Sequence, residues 1–289
     1  GPLPALPMDS PRTLFAAQLE RPDADIDLTE AALLIALEHD PRIDLPACRR
    51  ALAALGQRAE DRLRDAAAPS AQALCRFLAW EEGFRGNTVD YYNPDNSYLN
   101  RVLDSRTGIP ISLALVYLEV ARQLGVAAAG VSFPGHFLIR VEAPASGQPT
   151  LIDPFAGRTL SPQDCEELLR VSSRGALAFT AELLAPAAKR EILRRMLGNL
   201  KLIYLQREDF AESLSLCDRL LLIDPDSLQD RLDRALALEK LEFFTLAADE
   251  LERLAQRPEL AAQPQALAAV SRRIEALRGA APAAGRTLH

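Results

Sequence analysis

The run from Ile109 to Leu124 limits the fold of this chain more than any other stretch. It is apolar on almost every side, interrupted only by Ser112, Glu119, Arg122 and Gln123. A helix with that pattern has almost no solvent face and must lie inside a surround of other elements. Gly108 and Pro110 mark its start, since proline in the first turn loses no hydrogen bond. Gly125 stands where a left-handed stop is expected. At about 100° per residue, Ser112, Glu119 and Gln123 fall on one polar stripe. Two strand-like runs follow, Ala128 to Phe133 and His136 to Glu142, joined at Pro134-Gly135, and a third, Thr150 to Ile152, closes on Asp153-Pro154. The chain therefore presents, in order, a hydroxyl at a helix start, a histidine opening a strand and an aspartate closing one.

A chain of 289 residues has room for one large domain or two modest ones around this helix. Its net charge of −7 argues against nucleic acid as the partner, because phosphate backbones are met by basic stripes. No apolar run reaches the length that a bilayer demands, so no membrane span is expected. The start has no basic region followed by an apolar core, hence no signal peptide; Gly1-Pro2 reads as a tag scar and Met8 as the native start. Cys48, Cys75, Cys165 and Cys217 are scattered, and with His39, His136 and His289 they give no metal-site spacing. The expectation is a cytoplasmic protein with reduced thiols, no metal and no cofactor.

Before the central helix, three helices are expected between Leu28 and Glu82. The first has Leu33, Leu34 and Leu37 behind a cap at Thr29; the second runs from Pro46 to Arg64 with Leu52, Leu55 and Leu63 on one face. Ala68 to Ser70 breaks the pattern, and Ser70 caps the third helix, whose Phe77 and Trp80 read with Phe84 as core anchors. Gly83 to Asn96 is a long loop rich in turn residues. Asn96-Ser97 is placed to start a helix over Tyr98 to Leu103. Asn93 to Ser97 fits turn and cap chemistry. It also fits a cleft wall above Ser112, with Tyr91, Tyr92 and Asn96 as ligand-binding residues.

Past Asp153, Ser161-Pro162-Gln163-Asp164 is a helix start, and Cys165 on that helix, among acidic neighbours, is expected to be structural. Ala185 to Ala188 reads as a linker. Beyond it the chain is helical, and a shift of 34 pairs Ile203 with Ala237, Tyr204 with Leu238, Phe210 with Phe244, Leu214 with Ala248, Cys217 with Leu251 and Leu220 with Leu254. That is the tetratricopeptide period. The leading helix, Lys189 to Leu205, is expected to pack on the preceding domain, Gln263 to Leu277 to cap the repeats, and Ala280 to His289 to form a disordered tail.

Four segments carry a resemblance to a known family: Asn93-Pro94-Asp95-Asn96-Ser97-Tyr98-Leu99, Arg106-Thr107-Gly108-Ile109-Pro110-Ile111-Ser112-Leu113, Phe133-Pro134-Gly135-His136-Phe137-Leu138 and Ile152-Asp153-Pro154-Phe155. Together they resemble the bacterial SirB-type family, in which a transglutaminase-like, papain-type core precedes C-terminal tetratricopeptide repeats. The resemblance implies an α+β, predominantly helical chain with a small antiparallel sheet. It divides into an N-terminal helical segment (8–95), the core (96–186), the repeats (187–280) and a tail (281–289). It also implies that Ser112 stands at the position of the nucleophilic Cys, with His136 and Asp153 as its triad partners. Two functions stay open. One is a non-enzymatic regulatory or scaffolding protein that binds a peptide or protein through its cleft and repeats. The other is a Ser-His-Asp hydrolase or acyltransferase acting on an amide or ester. A purely helical adaptor is a third, weaker reading.

Overall fold

The protein is described by a computed structural model, which covers residues 10–65 and 70–282. The expected break at Ala68-Pro69, the start at Met8 and all but the first residues of the expected tail lie outside these residues.

The chain divides into two compact units, 1–196 and 197–289. In the first, α1 (Pro11–Leu19) precedes the expected helices: Ser10 caps it, Pro11 fills its first turn and Phe15 is buried. α2 (Leu28–His39) is capped by Asp27, not Thr29. The Asp27 carboxylate accepts from the Glu30 amide at 3.0 Å and from the Thr29 hydroxyl at 3.1 Å, so Thr29 supports the cap instead of forming it. α3 (Leu45–Leu63) buries Leu52 and Leu55. α4 (Ala71–Cys75) starts on Ser70 and widens into a π-helical continuation, Arg76–Glu81. That widening corrects the expectation for Trp80. Bonding at i→i+5 shifts the phase of the helix face, so Phe77 and Leu78 turn inward while Trp80 is 75% exposed. The Trp80 indole N–H donates to the Gly157 carbonyl at 3.2 Å, which fixes the ring on the surface.

A two-residue parallel pair, β1 (Arg85–Gly86) and β2 (Thr107–Gly108), brackets α5 (Leu99–Ser105). α6 (Pro110–Gln123) is the buried central helix: Ile111 to Tyr117, Val120 and Ala121 are all enclosed. Its polar stripe is used internally. Gln123 donates to the Leu52 carbonyl of α3 at 3.2 Å and to Glu119 at 3.0 Å, so it ties two helices together.

β3 (Ala128–Phe133), β4 (His136–Val141), β5 (Thr150–Asp153) and β6 (Arg158–Leu160) form an antiparallel sheet in that order. The β3–β4 turn is Pro134-Gly135, with Gly135 at φ +74°, where a side chain would be strained. α7 (Pro162–Ser172) has Ser161 and Asp164 in a reciprocal capping box. It lays Cys165 and Leu169 against Val131, Phe133, Leu138 and Leu151.

α8 (Lys189–Gln206) carries the division between the units at Met196 and Leu197. In the second unit come α9 (Phe210–Ile223), α10 (Leu228–Lys240), α11 (Phe244–Ala255), the short α12 (Pro258–Ala261) and α13 (Pro264–Ala280). The 34-residue period extends to the backbone. Glu208 and Glu242, 34 apart, both adopt a left-handed conformation at φ 56° and 65°. The bonds Asp209 N to Tyr204 O (2.9 Å) and Phe243 N to Leu238 O (2.8 Å) repeat the same turn. Leu277 of α13 is buried against Leu251 and Leu254 of α11, which closes that end. One repeat position differs sharply. Where the second repeat buries Ala235, the first buries Lys201, whose ammonium bonds Asp230 at 2.7 Å and Asp233 at 2.6 Å.

Candidate functional site

Ser112 occupies the third position of α6, and its hydroxyl bonds to the backbone. It donates to the Asn96 carbonyl at 2.5 Å and accepts from the Ile109 amide at 3.2 Å, the half of a capping box that satisfies the cap residue's own N–H. The residue is 0% exposed. Gly108 permits the close approach of the two segments. A Cβ there would stand 2.7 Å from Ser112 Oγ and 3.3 Å from Asn96 O. Gly108→Ala should therefore lower the unfolding free energy by about 1–3 kcal/mol, the usual range for an overpacked core; thermal melts of the two proteins at equal concentration measure it.

Asn96 is the hub above this contact. Its side-chain amide donates to the Asp90 and Tyr91 carbonyls at 2.7 and 3.1 Å, and its side-chain oxygen accepts from Asn87 at 2.9 Å. Asn87 in turn caps the amides of Val89 and Asp90, and Asn93 caps that of Asp95. The expected helix cap at Asn96-Ser97 is thus replaced by a short 3-10 turn, Pro94–Asn96, because Asn96 is held by the loop instead. The outer side of the loop opens into a cleft of about 450 Å³ whose lining includes Arg85, Asn87, Asp95, Asn96 and Thr107, while Ser112 is sealed beneath. Tyr91 and Tyr92 lie outside that lining, 43% and 68% exposed, with their rings edge to face at 5.2 Å.

His136 pairs across the hairpin with Phe133, ring centroids 6.3 Å apart. The Asp153 carboxylate caps the amides of Phe155 and Ala156, both at 3.0 Å. Arg140 faces Leu151 across the β4–β5 ladder, so strand alternation puts His136 and Asp153 on one face of the sheet. No hydrogen bond joins Ser112, His136 and Asp153: the hydroxyl and the carboxylate are both turned to backbone groups. The structure brings Ser112 to Asn96, Asn96 to Tyr91, and Tyr91 to Phe155, whose ring lies 5.9 Å away and whose carbonyl accepts from Gly86 on β1. Asn87 and Phe155 went unassigned in the sequence, although the spacing of Asn87 to the Val89 and Asp90 amides is an Asx signature.

Three of the four cysteines are buried. Burial pushes Cys75 up to about 11 and Cys165 up to about 11, and Cys217 up to about 12. Among the described residues, no group of three or more His, Cys, Asp or Glu is arranged to hold a metal ion, and no helix is long and apolar enough to cross a membrane.

Comparison with known proteins adds to this geometry. A family model described as "Transglutaminase-like superfamily" matches residues 46–198, and one described as "Tetratricopeptide repeat" matches residues 200–275. A UPF0162 protein of Pseudomonas aeruginosa is 35% identical over 228 residues, covering 78% of this chain and 83% of that protein. A UPF0162 protein of Xylella fastidiosa is 39% identical over 188 residues, 64% of this chain and 66% of that protein, just under two thirds of its length. The mouse protein named "F-box only protein 21" is 42% identical over 158 residues, which is 50% of this chain but 24% of that protein. No solved structure matches.

Proposed function

We propose a binding role without catalysis for this chain, which belongs to the transglutaminase-like superfamily and continues into tetratricopeptide repeats. The observation that carries the reading is the enclosure of Ser112. A nucleophile must reach a substrate carbonyl and give its proton to a base within hydrogen-bond distance. At this position the hydroxyl has no exposed surface and bonds to Asn96 and Ile109. In this reading Ser112, His136 and Asp153 keep the places of a triad but act as structural residues. The hydroxyl pins the Gly83–Asn96 loop to the central helix, and the loop shapes the polar cleft beside Asn96. The repeats supply the surface for a protein or peptide partner, since stacked helix pairs present extended faces. A regulatory or scaffolding protein of the cytoplasm fits this division of labour. Tyr91 and Tyr92 would meet a ligand at the rim, next to the cleft.

The test uses two reagents. Wild-type protein treated with a fluorophosphonate probe should carry no label at Ser112 by peptide mass mapping. In Ser112→Cys the new thiol should react with iodoacetamide no faster than Cys48, the one native cysteine that is not buried, because enclosure opposes both access and the thiolate. Labelling of wild-type Ser112 that disappears in His136→Ala would overturn this reading in favour of the Ser-dependent hydrolase or acyltransferase.

A further inference from the structure

A cavity of about 500 Å³ lies in the first unit, between α6, the open end of β3, the start of α8 and the 21–29 segment. Leu28, Leu115, Leu118 and Ile192 give it aliphatic walls, and Ala128-Ala129-Gly130 of β3 form one side. Its cations, Arg21, Arg122 and Lys189, are matched in number by Asp25, Asp27 and Glu119. Most of these groups are already engaged. Glu119 pairs with Arg122 at 2.7 Å, Lys189 donates to the Ala24 and Ile26 carbonyls, both at 2.8 Å, and Asp27 caps α2. The cavity has no net charge with which to select a ligand; what distinguishes it is the strand at its side.

β3 is an end strand of the sheet. The Glu142 amide donates to the Ala127 carbonyl at 3.0 Å, so by alternation the ladder bonds to β4 belong to Ala127, Ala129, Val131 and Phe133. The amides and carbonyls of Ala128, Gly130 and Ser132 point the other way, out of the edge. Part of that edge is covered by the chain itself. The 3-10 turn Ala181–Leu184 packs on β3, and the Ala187 amide donates to the Gly130 carbonyl at 2.7 Å before the chain turns into α8. Among the described residues, nothing bonds to the Ala128 amide, the Ala128 carbonyl or the Gly130 amide. Gly130 is buried, where an unpaired donor is costly. An open edge is normally blunted by a charge, a proline or a bulge, yet Ala128-Ala129-Gly130 carries none and its register is unbroken.

We propose that this end of β3 is a β-augmentation site for an extended, uncharged peptide segment of a partner protein. The segment's backbone pairs with Ala128 and Gly130, and its alternate side chains, small or aliphatic, enter the cavity. The free groups specify the occupant. Donor, acceptor and donor at strand spacing are met by an extended backbone, whereas a helix has its own N–H and C=O groups bonded internally. An antiparallel segment would exchange two bonds with Ala128 and offer a carbonyl to Gly130; the Ala187 bond to Gly130 ends the pairing there. Ala128 pairs with Val141, at the far end of β4 from His136, so the site is independent of any role of Ser112.

The experiment uses the full chain and a fluorescein-labelled peptide of alternating Thr and Val. Its control is the same peptide N-methylated throughout, which keeps the side chains and removes every backbone donor. Fluorescence anisotropy should show binding of the first and at least tenfold weaker binding of the second, the scale of one lost hydrogen bond. Ala128→Pro should weaken the unmodified peptide about tenfold, because it deletes an edge donor. Proline is tolerated where a strand N–H faces outward, and circular dichroism melts verify the fold. In the wild type, saturating peptide should slow amide exchange at Ala128 and Gly130, a measurement that stands whether or not the proline variant folds. Equal binding of the N-methylated peptide, equal binding to a folded Ala128→Pro, unchanged exchange at Gly130 or no binding would each overturn the proposal. So would a dimer in sedimentation that Ala128→Pro dissolves, since it would assign the edge to a second copy of this chain. None of these outcomes alters the fluorophosphonate result, so failure here is separable from failure of the non-catalytic reading.

Discussion

Ser112→Ala should destabilise the first unit by about 2–4 kcal/mol, because it leaves two buried backbone groups without partners and each such orphan costs about 1–3 kcal/mol. The groups are the Asn96 carbonyl and the Ile109 amide. Better helix propensity returns only a few tenths of a kcal/mol, so the loss dominates. Urea titration at neutral pH reads the difference as a lower midpoint at unchanged slope. The same variant should loosen the Gly83–Asn96 loop, since Asn96 would lose its bond to the central helix, and amide exchange at Val89, Asp90 and Asp95 should accelerate. A Ser112→Ala protein as stable as wild type would mean that this hydroxyl does not hold the loop.

The other large effect is expected at Lys201. Its side chain is 7% exposed and bridges Asp230 and Asp233. Lys201→Met keeps the aliphatic stem but strands two carboxylates in a site they share. Removing one partner of a buried ionic cluster costs about 3–5 kcal/mol, and the loss should appear as early melting of the repeat helices in a two-step denaturation curve. In the wild type, burial opposes the charge on Lys201, but its hydrogen bonds to Asp230 and Asp233 outweigh that and hold its pKa above the usual lysine value. A pKa raised on folding contributes stability that is complete below the unfolded value, about 10.4, and is lost as pH rises through the folded one. The wild-type repeat unit should therefore lose stability in strongly alkaline solution, and Lys201→Met should not share that part of the loss.

The elements that the chain announced most clearly are those governed by neighbours in sequence. The central helix, the Ser161–Asp164 start of α7 and the strands either side of Pro134-Gly135 all follow from spacing and local caps. The 34-residue period was visible in side chains and recurs in the left-handed turns at Glu208 and Glu242. Less was visible where a partner lies far along the chain. β1 and β2 are two residues each, too short for any alternation to show. Trp80 reads as a core anchor by type, but a π-helical turn and the Gly157 carbonyl, 77 residues away, keep it on the surface.

The candidate site divides along the same line. Sequence determined which residue types stand at a helix start, a strand opening and a strand end, because proline, glycine and periodic apolar residues fix those local conformations within a few positions. Only the tertiary structure decided what those groups bond to. A serine hydroxyl rotates to whichever acceptor the fold brings near, and the fold brings the carbonyl of Asn96, 16 residues upstream, against it at 2.5 Å. An aspartate at a strand end caps the next amides when the chain turns at once, as it does at Phe155 and Ala156. Pairing a hydroxyl with a carbonyl, or a carboxylate with an amide, is a short-range choice that depends on sub-ångström placement of distant segments, and that placement is set by packing around the buried helix.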